Sequence, residues 1–319
     1  MKDEQPLSDR ILADALIRTG RHTEAVALCR KLTEAFPEEE SHLLSLAWAL
    51  HDSGKPQEAA DCFERLFRKE LSRKLFTGFA YDELVRIYRQ ERNWDALISV
   101  CERASAAQPD DPGLLKTLGD AYLTADRAVD SLLVCERLIV LEPEAPEHWC
   151  ALGAARLALG RIGEGEAAYR KAAAIDPSDA PLFFSRLADG FLRAGRPENA
   201  QAAMEQCVAL KPDDPLYLMD LGDILICRGK PEEAADAYRR AALLNPASAG
   251  ACWYRLGEIL AKRGLHAPAT EAVEKAVAAE PGNSRYLLRL AASYAARGLS
   301  DLAGATLRQV EKLTRTASE

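Results

Sequence analysis

Several things are scarce in this 319-residue chain, and each absence narrows what it can do. Its eight cysteines never come closer than 15 residues, so no C-x-x-C is available for a zinc knuckle or a redox pair. A chain of this size does not need disulfides to hold a core, which predicts free thiols in a reducing cytoplasm. No apolar run approaches the ~20 residues that span a bilayer, and the N-terminus MKDEQPLSDR is too charged for the core of a signal peptide. Positive charge is also short: 41 Lys and Arg against 49 Asp and Glu leave a net charge of -8. Nucleic-acid binding rests on clustered Lys and Arg, so it is disfavoured, and only the stretch Arg65–Lys74 speaks for it. There are five histidines and neither an H-E-x-x-H nor a G-x-S-x-G. The stretch from Gly222 to Lys230 resembles a phosphate loop only superficially, because its spacing is one residue too long and Pro231 stands where Ser or Thr is needed. The expectation is a chain with no catalytic residues, no cofactor and no metal.

What is present is a period. Pro109, Pro143, Pro177, Pro212, Pro246 and Pro281 follow one another at steps of 34, 34, 35, 34 and 35. Pro37 precedes them by two periods and four extra residues. Glycine marks the middle of most periods: Gly20, Gly54, Gly160, Gly195, Gly229, Gly264 and Gly298. Each period therefore reads as helix, glycine turn, helix, proline stop. The seventh position is leucine in all nine copies, from Leu12 through Leu152 and Leu221 to Leu290. The eighth is Gly or Ala in eight of nine, with Val85 the exception, so two helices can approach closely there.

On these residues the chain resembles the tetratricopeptide repeat family, whose pattern sets an aromatic, Leu-Gly, a further aromatic, Ala and Pro at 34-residue spacing. The fifth copy carries it almost whole, as Trp149, Leu152, Gly153, Tyr169, Ala172 and Pro177. The repeats read as 6–39, 40–73, 78–111, 112–145, 146–179, 181–214, 215–248, 250–283 and 284–317, together a single solenoid over 1–319. The resemblance implies an all-α fold, a right-handed superhelical α-solenoid of about nine helix-turn-helix units. Residues 74–77 are a four-residue insertion that reads as a longer helix or as a hinge. Repeats three and four have Arg92 and Asp126 where the turn glycine belongs. The last helix replaces an apolar contact face with Gly304, Arg308 and Glu311, and the expectation is that the array ends there.

The resemblance also implies a site: a concave groove lined by the first helix of each pair. Its ninth positions are Asp120, Ala154, Asp189, Asp223 and Glu258, a nearly regular ladder of carboxylates. The sixth positions contribute Arg186, Asp220, Arg255 and Arg289. Met219, Ile226 and Tyr254 add apolar surface, and Arg156 occupies a slot that is usually aromatic. Cys150 and Cys227 read as inner-face thiols, with nothing near them in sequence to activate either. Such a groove suits a basic, partly apolar peptide or helix of a partner protein. Against that stands the fact that Arg186 with Asp189, and Arg255 with Glu258, can neutralise each other as i,i+3 pairs. Asp220 and Asp223 have no such partner on their own helix, which singles them out for a cation. The family's carboxylate clamp and its asparagine ladder are unsupported, since the four asparagines (Asn93, Asn199, Asn245 and Asn283) lie in turns or at helix starts. The reading is therefore a cytoplasmic, bacterial scaffold or adaptor for protein segments. The alternatives are a regulatory or targeting subunit of an enzyme carried on another chain, and, more distantly, a nucleic-acid-binding repeat protein. No membrane insertion is expected, and self-association is left open.

Overall fold

The turn chemistry explains the helices. Proline occupies the first turn of the helices starting at Pro56, Pro112, Pro146, Pro197, Pro215 and Pro231, where its missing N–H costs nothing. Side-chain caps reinforce several starts: Asp111 accepts from the Leu114 N–H at 2.9 Å, and Asp214 accepts from Leu216 at 3.0 Å. Most first helices end on a glycine in the left-handed region, as at Gly229 with φ 74°. Arg92 and Asp126 adopt the same conformation, φ 53° and 58°, without glycine. The turn geometry is thus kept where its usual residue is missing.

The computed structural model describes residues 4–73 and 76–316. Among them are eighteen α-helices and no strand. The helices succeed one another as pairs joined by short turns, and each helix packs on the next within its unit, the arrangement of an α-solenoid. The chain divides into two compact units, residues 1–143 and 144–319.

In the first unit the pairs are α1 (Glu4–Arg18) with α2 (His22–Ala35), α3 (Glu40–Asp52) with α4 (Pro56–Ser72), α5 (Phe79–Gln90) with α6 (Trp94–Ala107), and α7 (Pro112–Thr124) with α8 (Ala128–Leu141). Its core is aromatic where α3, α4 and α5 meet. Phe63 lies edge-on to Trp48 at 5.7 Å and to Phe79 at 6.4 Å. The helix α4 runs 17 residues, longer than its counterparts in this unit. Lys74 and Leu75, half of the expected hinge, lie outside the described residues. Phe76 packs on Phe67 at 6.0 Å and on Tyr81 at 5.9 Å, and Thr77 donates to Glu70 at 2.8 Å. Leu12 is 51% exposed, unlike the other seventh-position leucines.

The second unit holds α9 (Pro146–Ala158) with α10 (Ile162–Ile175), α11 (Ala180–Arg193) with α12 (Pro197–Leu210), α13 (Pro215–Cys227) with α14 (Pro231–Leu244), α15 (Ala249–Lys262) with α16 (His266–Ala279), and α17 (Ser284–Ala296) with α18 (Ser300–Thr316). Here the eighth-position glycines are under compression. A Cβ on Gly153 would stand 2.6 Å from the Tyr169 ring, and one on Gly222 would stand 2.5 Å from Tyr238. Large aromatics on the second helix fill the space the glycine leaves, which is why repeats with Tyr169 or Tyr238 require Gly. First helices of neighbouring pairs also touch directly, α9 on α11 and α13 on α15. The candidate surface is built on these first helices.

Candidate protein-binding surface

Nine of the ten residues expected at the groove belong to the second unit. Asp120 belongs to the first, on α7, where it is exposed. Of the nine, α9 supplies Arg156; α11 supplies Arg186 and Asp189; α13 supplies Met219, Asp220, Asp223 and Ile226; α15 supplies Tyr254 and Glu258.

Ile226 must be removed from the surface. It is 1% exposed and belongs to the hydrophobic core of the unit. Helical spacing put it one turn from Asp223, but its direction is inward. Arg156 turns away from an open slot and toward its own pair: its Nε lies 3.7 Å from the Glu164 carboxylate on α10. It covers the turn between the two helices, as a long side chain with a charged tip can.

Asp223 is occupied. Tyr238 donates its hydroxyl to this carboxylate from α14, and Arg255 pairs with it from α15. The partner that its own helix lacks therefore comes from the next repeat. Arg255 is thereby committed to Asp223, and Glu258 instead accepts the Tyr254 hydroxyl at 3.0 Å. Tyr254 is stacked on Tyr286 at 4.9 Å, with the Arg285 guanidinium 4.8 Å from its ring centroid. Burial raises the Asp223 carboxyl above its ordinary range, against the opposing hydrogen bond from Tyr238 and the charge of Arg255.

Asp220 differs. Among the described residues its carboxylate has neither a hydrogen bond nor an ion pair, although it is partly buried. Burial raises its pKa; Arg255 opposes the shift, while Asp223, Asp189 and Asp214 add to it. Asp189 is exposed on α11 beside it. Two carboxylates from neighbouring first helices thus repel each other where a cation would relieve both. The sign for stability follows. A carboxyl whose pKa is raised on folding binds its proton more tightly in the native state, so stability falls as pH rises from about 4 through the raised value. The substitution Asp220→Asn is expected to raise the Tm at pH 7, and the gain should vanish below pH about 4; a lower Tm at pH 7 would contradict this account of the carboxylate.

Apolar surface lies next to these charges. Met219 lines an open cleft of about 810 Å³ together with Leu210, Asp214 and Leu216. Its sulfur sits 3.4 Å from the Cys252 thiol. Leu182 and Leu192 on α11 are exposed as well. Among the described residues, no group of three or more His, Cys, Asp or Glu is placed to hold a metal ion, and no helix is long and apolar enough to cross a membrane.

The thiols separate cleanly. All eight cysteines are free, seven are buried, and Cys227 alone is exposed. Cys150 is not on the surface, and burial pushes its thiol up to about 11, as it does those of Cys29, Cys62 and Cys135. A thiol reagent at pH 8 is therefore expected to label one cysteine in the folded protein, Cys227, and all eight in denaturant. Rapid labelling of Cys150 in the native state would place it wrongly.

Sequence profiles described as Tetratricopeptide repeat match residues 4–40, 12–71, 116–180, 185–251 and 227–269, and a second profile of that description matches 80–116. No curated protein matches the sequence. Among solved structures, the crystal structure of MamA protein is 23% identical, covering 55% of this chain and 95% of that one at a TM-score of 0.41. A chain of the APC/C hetero-tetramer Cut9–Hcn1 is 16% identical, covering 90% of this chain and 57% of that one at 0.42. BtubC from P. vanneervenii is 20% identical, covering 60% and 89% at 0.40. The matched profiles extend over well over half of the sequence. The chain belongs to the tetratricopeptide repeat family.

Proposed function

We propose that the protein is a non-catalytic scaffold that holds a segment of a partner protein against the first helices of its second unit, with a basic side chain of that segment fixed at Asp189 and Asp220. Membership of the tetratricopeptide repeat family supports protein partners in general. The observation that carries the finer reading is the Asp220 carboxylate, partly buried, without a partner among the described residues, and repelled by Asp189 and Asp223. An arriving Lys or Arg gains two carboxylates at once and removes their mutual repulsion. Met219 and Leu216 in the adjoining cleft offer apolar contact to the flanking residues, and steering by charge sets which way the segment lies. The eight free thiols suit work in a reducing compartment.

Selection of random peptides on the full-length protein tests this. Wild type should enrich sequences containing Lys or Arg beside apolar residues, and the double variant Asp189→Asn/Asp220→Asn should lose that preference while keeping its helicity. Enrichment of acidic peptides, or the same basic preference in both proteins, would sink the reading. Asp223 is left intact in this variant because its pairing with Tyr238 and Arg255 makes it part of the fold.

A further inference from the structure

The charge of the first helices inverts at the end of the second unit. Where Asp189, Asp223 and Glu258 stand at the ninth position of earlier pairs, α17 has Ala292. The removal of that carboxylate coincides with a cavity of about 280 Å³ between α15, α16 and α17. Its polar lining is Lys262, His266, Arg289 and Ser293, and the rest is four alanines. No carboxylate lines it, in a chain whose net charge is -8.

One of its polar groups is buried without a partner, while Lys262 and His266 are exposed. The Arg289 Nε is buried and has no hydrogen-bond partner among the described residues. Neither Lys262 nor Arg289 makes an ion pair with any of them. Arg255, at the same sixth position one repeat earlier, is by contrast held by Asp223. Ser293 is 7% exposed, and its hydroxyl makes no hydrogen bond to any described residue. A buried guanidinium N–H left without an acceptor is costly, and it and the Ser293 hydroxyl are donors of the kind that binds oxyanions. The alanines leave the space between these side chains open. A guanidinium, an ammonium, an imidazole and a hydroxyl surround the space, and no carboxylate is among them to neutralise the two cations.

We propose that this cavity is an oxyanion subsite, taking a carboxylate or phosphate carried by the partner segment whose basic side chain sits at Asp189 and Asp220. The second half of that statement rests on the proposed function, whereas the anion site does not. The two subsites are separated by the step from α13 to α17, two first-helix spacings of about 8–10 Å each. An extended chain at about 3.3 Å per residue covers that in roughly five or six residues. The partner segment then carries a basic residue and an acidic or phosphorylated one at about that separation, which gives it a direction along the unit.

The test uses the full-length, isotopically labelled protein and two simple probes, inorganic phosphate and acetate, each titrated against sodium chloride at matched ionic strength. The Arg289 Nε–H and His266 ring signals are followed by NMR. A saturable shift with phosphate, with acetate or with both supports the site, and which probe acts tells which group it prefers. The response, read at His266 in the variants, should be at least tenfold weaker in Arg289→Gln and in Lys262→Gln. No shift beyond that caused by chloride overturns the proposal, as does an equal response in both cavity variants. A separate arm compares a peptide carrying Arg and Glu six residues apart with its Glu→Gln form. The Glu form should bind at least tenfold tighter to wild type and equally to Arg289→Gln. Anion shifts without binding of either peptide would leave the subsite standing and remove the groove reading from which its partner was deduced.

Discussion

The variant Gly222→Trp is expected to lower the Tm by about 5–10 °C or more, and even Gly222→Ala is expected to destabilise. A Cβ at this position would stand 2.5 Å from the ring of Tyr238, which is fully buried and cannot swing into solvent. Overfilling a packed crossing costs typically about 1–3 kcal/mol and more for a large ring, and a unit of this size loses about 2–4 °C per kcal/mol. The ring would also pull the Tyr238 hydroxyl from Asp223 and disturb the pair with Arg255. The matched control is Gly119→Ala, at the same repeat position in the first unit. Its added Cβ would lie 3.5 Å from Val134, an ordinary contact. That substitution should be neutral or stabilising, since alanine is favoured over glycine in a helix by roughly 0.5–1 kcal/mol. Thermal melts of the two alanine variants therefore move in opposite directions; a shift of the same sign would mean that second-helix residues do not dictate the eighth position.

The second large effect belongs to the first unit. Phe63 is 0% exposed and joins three helices, packing edge-on to Trp48 of α3 and Phe79 of α5 from its place on α4. Truncation removes ring area and leaves a cavity that rigid helices cannot close, so Phe63→Ala should cost about 3–5 kcal/mol. Hydrogen exchange should report this as lost protection centred on α3, α4 and α5. The interactions of Gly222 are confined to the second unit, so its variants should leave that region protected. Protection of α3–α5 that survives Phe63→Ala would show that the aromatic cluster does not hold these helices together.

The fold was legible because its determinants recur. Leu at position seven and a small residue at position eight repeat often enough to be read without any contact in hand, and they are the residues that face the core at Leu152, Leu187 and Leu256. The turns at Arg92 and Asp126 were less legible, since their left-handed backbone is imposed by the helices they join and not by glycine. The surface was legible only in part. Counting along one helix could not place Ile226 in the core, nor show that Arg255 would reach the preceding repeat for Asp223 rather than Glu258 on its own helix. Pairing across repeats depends on the rotation between neighbouring helices, which single-helix spacing does not contain. The same limit hid the cavity around Arg289, whose members lie on three helices. Ala292 continues the ninth-position series without a carboxylate, and its meaning required the wall opposite.

The most direct measurement is site-specific photocrosslinking of the full-length protein to a basic peptide taken from the selection. A photoreactive p-benzoylphenylalanine replaces, one at a time, Leu182 on α11, Met219 on α13 and Leu243 on α14, all at least partly exposed. The first two stand on first helices and the third on a second helix. Crosslinks from positions 182 and 219, abolished by Asp189→Asn/Asp220→Asn, with none from 243, are the predicted result. Crosslinking from 243 with silence at the other two would contradict it and place the partner on the opposite face of the helix pairs.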